Sequence, residues 1–437
     1  MKINIITLGC SKNTVDSENL AGKLKAQGHT VCFDGQPDQN FDAIIVNTCG
    51  FIGDAKEESI NTILQQASLP GHPRLIVCGC LVERYKDELA KEIPEVDVWY
   101  GVHEWEQIAS DLKDLKDPKD LKALTRPLST PSHYAYLKIA EGCNRSCSYC
   151  AIPLIRGAHR SRPMEELVAE AKQLVAEGVK ELIVISQDTT YYGLDLYRRR
   201  ALGELLNRLA EESGAPWIRL HYTYPSSFPE DAIDAIAHHP NICNYIDIPL
   251  QHINSRILGS MQRGIDREGT LRLLQTFRAK LPDAAIRTTL IVGYPGETEE
   301  EFEELKQFVR EARFDRMGCF AYSPEEGTPA EHLGDPVPEE EKQRRVSELM
   351  AIQEEISLEK NQARVGKVYR CIVDRREGDY IVARTEYDSP EVDDEVLVRQ
   401  TQASIRPGDF VNIRITQAME NDLIGSLLPS WRNGRQP

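Results

Sequence analysis

Three thiols stand at Cys143, Cys147 and Cys150, a Cys-x3-Cys-x2-Cys spacing on one short segment after an apolar run. Three thiolates so placed can hold three irons of a cubic four-iron, four-sulfur cluster. The fourth iron then stays open to a small molecule, whereas a four-cysteine site is closed. At this cysteine frequency a chance match is expected on the order of one time in a hundred. Zinc is the main alternative and needs a fourth Cys or His, for which His159 is at hand. A disulfide framework fits poorly with eleven cysteines, an odd number, in a long chain whose opening lacks the layout of a secretory signal.

A second trio, Cys10, Cys49 and Cys80, is scattered in sequence yet shares one kind of position. Each follows an expected parallel strand, in Leu8-Gly9-Cys10, Asn47-Thr48-Cys49 and Cys78-Gly79-Cys80. Right-handed crossovers carry such strand ends to one edge of a sheet, where ligand sites of open α/β sheets form. Gly9, Gly50 and Gly79 would let backbone approach a bulky inorganic group. The trio reads either as one ligand set or as three separate buried cysteines, since free Cys often serves as a small core hydrophobe. Cys32, Cys78, Cys243, Cys319 and Cys371 lie in or beside apolar runs and read as packing.

The elements that must position these thiols alternate along the chain. Strands are expected over residues 3–8, 41–46 and 75–77 with helical patterns between them, which indicates a parallel sheet. Residues 111–132, rich in Lys, Asp and Pro, read as a linker. From residue 134 six strand–helix units follow, with strands at 134–140, 181–186, 217–222, 245–250, 286–292 and 317–322. Six units are fewer than the eight of a closed barrel, so a partial, open barrel is expected. Thr298-x-x-Glu301 marks a helix start, and the glutamates around it suit the positive end of a helix dipole better than a metal. Residues 338–363 read as helix. Five short strand candidates after them suggest a small antiparallel barrel of the kind used for recognition.

A length of 437 residues is enough for two to four domains, and no apolar run reaches a membrane span, so a cytoplasmic protein is expected. The net charge of −17 disfavours a mainly phosphate-directed surface and makes a basic partner plausible.

Cys143, Cys147 and Cys150, placed after a strand that opens a partial barrel, resemble the cluster motif of radical S-adenosylmethionine enzymes. In that family the open iron chelates S-adenosylmethionine, and an electron from the cluster cleaves it to a 5′-deoxyadenosyl radical. Ser186-Gln187-Asp188 is similar to the segment that contacts the methionine moiety, and Ile291-Val292-Gly293-Tyr294-Pro295-Gly296-Glu297 resembles the segment near the adenine. The resemblance thus points to Gln187 and Gly293 as cofactor contacts. Arg156, Arg160 and Arg162 follow the cysteine loop and read either as partners for cofactor or substrate carboxylates, Arg156 first among them, or as surface salt bridges.

With Cys10, Cys49 and Cys80 added, the chain resembles the methylthiotransferases of this superfamily, whose amino-terminal domain holds an auxiliary cluster and whose carboxy-terminal β-barrel is called TRAM. The resemblance covers essentially the whole chain. It implies an α/β multidomain fold with a methylthiotransferase domain at 1–115, a linker at 116–132, a radical S-adenosylmethionine (β/α)6 domain at 133–363 and TRAM at 364–432. It also implies two four-iron, four-sulfur clusters, S-adenosylmethionine as radical source and methyl donor, an external electron donor and a sulfur source. One branch of the family modifies an adenosine of transfer RNA, and the other an aspartate of the twelfth small-subunit ribosomal protein.

Leu8-Gly9-Cys10-Ser11-Lys12-Asn13-Thr14-Val15-Asp16-Ser17-Glu18 resembles the ribosomal-protein branch, with Ser11 where proline is usual. Glu325 and Glu326 stand where the transfer-RNA branch tends to carry arginine. Glu386, Asp388, Glu391, Asp393, Asp394 and Glu395 are expected to repel phosphate and attract a basic ribosomal protein, unless they form a solvated loop. A basic ribosomal protein is thus the expected partner, with nucleic acid not the main target. A non-enzymatic iron–sulfur scaffold would need neither the barrel nor the recognition module.

Overall fold

A computed structural model describes residues 1–35, 40–112, 126–399 and 404–428, so residues 113–125 of the expected linker lie outside the described residues. The first apolar runs form a five-stranded, wholly parallel sheet. Its strands are β1 (Lys2–Thr7), β2 (Thr30–Phe33), β3 (Ala43–Thr48), β4 (Arg74–Gly79) and β5 (Val98–Tyr100), in the order β2-β1-β3-β4-β5. In β3, Ala43 and Ile45 face one core with Leu20 and Leu24, while Ile44 and Val46 face another with Ile63 and Leu81. Burial on both faces explains why the central strands read as unbroken apolar runs. The edge strands β2 and β5, of four and three residues with mixed exposure, left no such signal.

The next strands are β6 (Tyr134–Lys138), β7 (Ala140–Glu141), β8 (Arg160–Ser161), β9 (Glu181–Ile185), β10 (Trp217–Leu220), β11 (Tyr245–Asp247), β12 (Ala285–Val292) and β13 (Arg316–Ala321). Six of them form the barrel as two parallel triplets, β6-β9-β10 and β11-β12-β13, joined where Ile218 bridges Ile242. The outer strands β6 and β13 are not paired with each other, so the barrel is open as expected. The antiparallel pair β7–β8 closes the neck of the cysteine loop, with Ala140 opposite Ser161. Thr298 caps the helix Glu299–Ala312 with a reciprocal capping box, as its spacing indicated.

After the helix Glu339–Gln362 come β14 (Val368–Glu377), β15 (Tyr380–Thr385), β16 (Glu395–Arg399), β17 (Phe410–Ala418) and β18 (Asp422–Leu427), closed in the order β14-β15-β16-β18-β17. This barrel is not wholly antiparallel, because β16 and β18 run parallel.

The acidic segment between β15 and β16 overturns one expectation. It is neither a solvated loop nor a display for a basic partner; it enters the lower, amino-terminal end of the large barrel. Asp388 and Asp394 pair with Arg316, and Asp393 with Arg287. Tyr245 donates to Asp393 at 2.6 Å and Tyr134 to Glu391 at 2.7 Å, while Ser389 Oγ meets His221 Nε2 at 2.9 Å. Glu395 pairs with Arg375 of its own small barrel. Asp388, Asp393 and Asp394, which looked available, are paired with arginines of β12 and β13, while Glu391 stays exposed beside the Tyr134 hydroxyl.

A buried Arg219–Glu181–Arg384 triad secures the same junction, with Glu181 2.6 Å from Arg219 and 2.8 Å from Arg384. The two guanidiniums outweigh burial and hold the Glu181 carboxyl down at about 2, against an ordinary 4.5. A carboxylate depressed in the fold contributes its stability fully above the ordinary value and loses it as pH falls through the folded one. Glu181→Gln should therefore lower unfolding stability by roughly 3 kcal/mol at neutral pH. The deficit should shrink as pH drops from about 4.5 toward 2. Urea titrations across that range check it, and a pH-independent deficit would refute the charge assignment.

Candidate active site

β1, β3 and β4 are neighbours, and Cys10, Cys49 and Cys80 follow their carboxyl ends directly. Asn13 locks this edge by donating to Leu8 O at 2.8 Å and Thr48 O at 3.1 Å. Ser59 accepts from the Cys49 N–H at 3.0 Å and donates to its carbonyl at 2.9 Å. The glycines serve this packing rather than an inorganic group. A Cβ on Gly9 would meet Cys49 Sγ at 2.9 Å, and one on Gly50 would meet Leu81 N at 2.7 Å. On Gly79 it would meet Thr48 O at 2.6 Å.

The other trio sits on the loop between β7 and β8, above the carboxyl end of β6. Its backbone is held by Cys143 N–H to Gly157 O, Cys150 N–H to Cys147 O and Ser148 N–H to Met261 O, each at 3.1 Å. Arg263 lies 3.4 Å from Cys147 Sγ and 3.2 Å from the Tyr149 hydroxyl, and Tyr224 Oη is 3.4 Å from the same sulfur.

Both trios line one cavity of about 410 Å³. Six thiols from two domains therefore face a single cavity. Burial pushes the Cys143 thiol up to about 11, Cys150 up to about 12 and Cys80 up to about 11. Such thiols ionise readily only against a strong cationic partner, as iron would be. Burial pushes Cys10 up as well, but Lys12 and Arg156 more than offset it and leave the thiol below its ordinary value. The donor set thus fits soft, cationic iron on both sides. Among the described residues no three His, Cys, Asp or Glu side chains gather closely around a single metal ion. His159 packs on the Tyr191 ring, with Nε2 3.2 Å from Ser161 Oγ.

Between the trios lies an ion network with no sequence signature. Arg156 reaches Asp16 at 2.7 Å, Glu141 at 3.3 Å and Cys80 Sγ at 3.3 Å, and also bonds Asn13. Lys138 bonds Asp16 and, at 2.8 Å, Glu141; Gln187 donates to Glu141 at 2.6 Å. Asn13, Asp16 and Cys80 belong to the first domain, and Lys138, Glu141, Arg156 and Gln187 to the barrel. Arg156, expected at the cofactor, lines the cavity and is engaged by these carboxylates and the Cys80 thiol. Gln187 does line the cavity, and its Oε1 has no partner among the described residues.

Gly293 is not on the cavity wall; its φ of +71° makes room for Lys342, which a Cβ would strike. Arg160 is exposed, while Arg162 pairs with Glu170 at 2.7 Å, an ordinary salt bridge. Asp188 pairs with Arg145 at 2.7 Å and caps the short turn Thr189–Tyr191. Tyr149, Tyr224 and Arg263 escaped sequence reading because each looks like ordinary core or surface until β10, β11 and the cysteine loop converge.

Residues 137–309 match the radical SAM superfamily, residues 2–101 an uncharacterised protein family, UPF0004, and residues 365–428 the TRAM domain. A protein of Flavobacterium johnsoniae named ribosomal protein uS12 methylthiotransferase RimO is 54% identical, over 97% of this chain and 97% of its own. One of the same name from Phocaeicola vulgatus is 53% identical, over 98% and 99%. Among solved structures, the radical S-adenosylmethionine methyltransferase TsrM of Kitasatospora setae shares the fold. It gives a TM-score of 0.54 at 15% identity, covering 74% of this chain and 76% of that one.

Two outcomes follow from this geometry. Changing all of Cys10, Cys49 and Cys80 to serine should halve the iron bound on anaerobic reconstitution, as should changing Cys143, Cys147 and Cys150. Iron and sulfide analysis measures this, and an unchanged content would remove that trio as a ligand set. Arg156→Met leaves Asp16 and Glu141 short of a buried cation and should cost roughly 3–5 kcal/mol in denaturant unfolding of the iron-free protein. A cost below about 1 kcal/mol would reduce the network to the level of a surface pair.

Proposed function

This chain belongs to the RimO family of radical S-adenosylmethionine methylthiotransferases, and on that premise we propose that it places a methylthio group on the β-carbon of an aspartate in ribosomal protein uS12. The observation that carries the reading is the single cavity of about 410 Å³ bounded by both cysteine trios. We assign Cys143, Cys147 and Cys150 to the radical-generating cluster and Cys10, Cys49 and Cys80 to the auxiliary cluster. A β-carbon beside a carboxylate is an unactivated sp3 centre, so an ordinary base cannot compete for its hydrogen. The two clusters and S-adenosylmethionine supply, when bound, the radical chemistry, sulfur and methyl group that no side chain provides.

The chain's own residues hold and screen these groups. Arg156 places a buried cation beside Cys80, where the charge of a thiolate set needs compensation. Arg263 does the same at Cys147, and Tyr149 and Tyr224 wall that side of the cavity. Gln187, with a free amide oxygen on the cavity wall, is the residue we assign to cofactor contact. Joining the trios in one cavity shortens the path from carbon radical to sulfur and keeps solvent from intervening.

The protein substrate is favoured over transfer RNA by the name its 50–54% identical relatives carry. The acidic TRAM segment no longer bears on that choice, because it is consumed inside the barrel. An electron donor and a sulfur source are required by the chemistry. Among the described residues no helix is long and apolar enough to cross a membrane, and a ribosomal substrate supports a cytoplasmic enzyme.

The reconstituted enzyme, given uS12, S-adenosylmethionine, sulfide and a reductant, should add a methylthio mass to one aspartate peptide. Cys143→Ala, Cys147→Ala and Cys150→Ala should abolish deoxyadenosine formation. Cys10→Ala, Cys49→Ala and Cys80→Ala should still form it, with no methylthio product. Mass spectrometry decides between substrates: modification of transfer RNA with none on uS12 would overturn the proposal.

A further inference from the structure

A second cavity, of about 780 Å³, opens beside the first and uses no residue of either cysteine trio. It lies over the carboxyl ends of β12 and β13, with Phe51, Ile52, Tyr149 and Gln251 shared between the two cavities. Its floor carries two buried polar groups without partners among the described residues: Gln251 Oε1, on a side chain 9% exposed, and Tyr322 Oη, on one 3% exposed. A buried polar atom left unpaired costs free energy unless a ligand supplies the missing bond.

Gln251 is fixed rather than loose. Its N–H donates to Thr289 O and its carbonyl accepts from Ile291 N–H, both at 2.8 Å, and its φ of +76° is one that side-chain-bearing residues seldom adopt. Strain of that kind persists only where the surroundings enforce it.

The charge around this cavity leans acidic. Asp54, Glu325, Asp335 and Glu339 line it against a single Lys342. Glu325 is answered by Lys56 at 2.6 Å and Arg84 at 2.8 Å. Lys342 sits 2.6 Å from Asp335 and 3.6 Å from Glu339. Four carboxylates thus face three cations, and exposed Asp54 is the one of the four without an ion pair among the described residues. Phe320, 54% exposed, adds an apolar face to the same wall. Phosphate would be repelled here, whereas a polypeptide bringing lysine or arginine would be drawn in.

We propose that this second cavity receives a basic loop of the polypeptide substrate, with Gln251 accepting a hydrogen bond from it at the wall between the cavities, so that the target side chain enters the space enclosed by the six thiols. The inference rests on the protein-substrate reading above and adds to it the route and the contacts.

The test uses the cluster-loaded full chain with uS12. Asp54→Asn/Glu339→Gln removes two rim charges without touching the cysteine cavity. It should raise KM for uS12 about fivefold, with the difference shrinking as salt is added. Deoxyadenosine release without substrate should not change. Gln251→Met keeps the length and removes the amide; the ratio of methylthio product to deoxyadenosine should fall about tenfold, the value of one lost hydrogen bond to substrate. Iron content and circular dichroism confirm that both variants are folded. If the unaltered enzyme modifies uS12 and both variants match it in KM and product ratio, the cavity assignment fails while the function stands. If the unaltered enzyme does not modify uS12, the function reading fails and takes the inference with it.

Discussion

The structure turns on a buried ion network between its first two domains. Asp16 comes from the helix after β1, while Lys138, Glu141 and Arg156 surround the root of the loop that carries Cys143, Cys147 and Cys150. None of these charges can be desolvated without the others, since a lone buried ion costs several kcal/mol and a matched set largely cancels that penalty. The network therefore admits one relative placement of the sheet edge and the barrel mouth. That placement makes two distant cysteine trios walls of a single cavity.

Lower in the molecule the same device recurs with another purpose. The segment between β15 and β16 fills the amino-terminal end of the barrel, where Arg219, Arg287 and Arg316 would otherwise face a void. The two ends of the barrel are thus treated oppositely. The upper end is left hollow, lined by thiols and a few polar groups, and the lower end is packed with paired charge. Among the described residues, none of TRAM lines the cavity of the six thiols.

The repeating strand–helix pattern, the open six-strand barrel, the final small barrel and both trios could be read from residue type and spacing. The reasons are local: apolar runs bounded by turns, a capping box at Thr298, and cysteines at strand ends. What could not be read was pairing across long separations. Asp388 and Arg316 are seventy-two residues apart, and Asp16 and Arg156 one hundred and forty. A run of acids looks alike in sequence whether it faces water or guanidinium, so the acidic segment was misjudged. The carboxylates that Arg156 meets are likewise the protein's own, Asp16 and Glu141. The parallel β16–β18 pair also went unseen, because strand direction in a small barrel depends on how the turns route the chain.

The plugged lower end also bears on how the molecule is made. Synthesis delivers β6 to β13 before residues 386–394, the segment that pairs with Arg287 and Arg316. Until then the guanidiniums of Arg287 and Arg316 must stay hydrated, and water must occupy the bore they line. The barrel can assemble its outer layer early, yet its interior dries only when the last domain docks. The charges at the lower end of the barrel can therefore be paired only once residues 386–394 have been made.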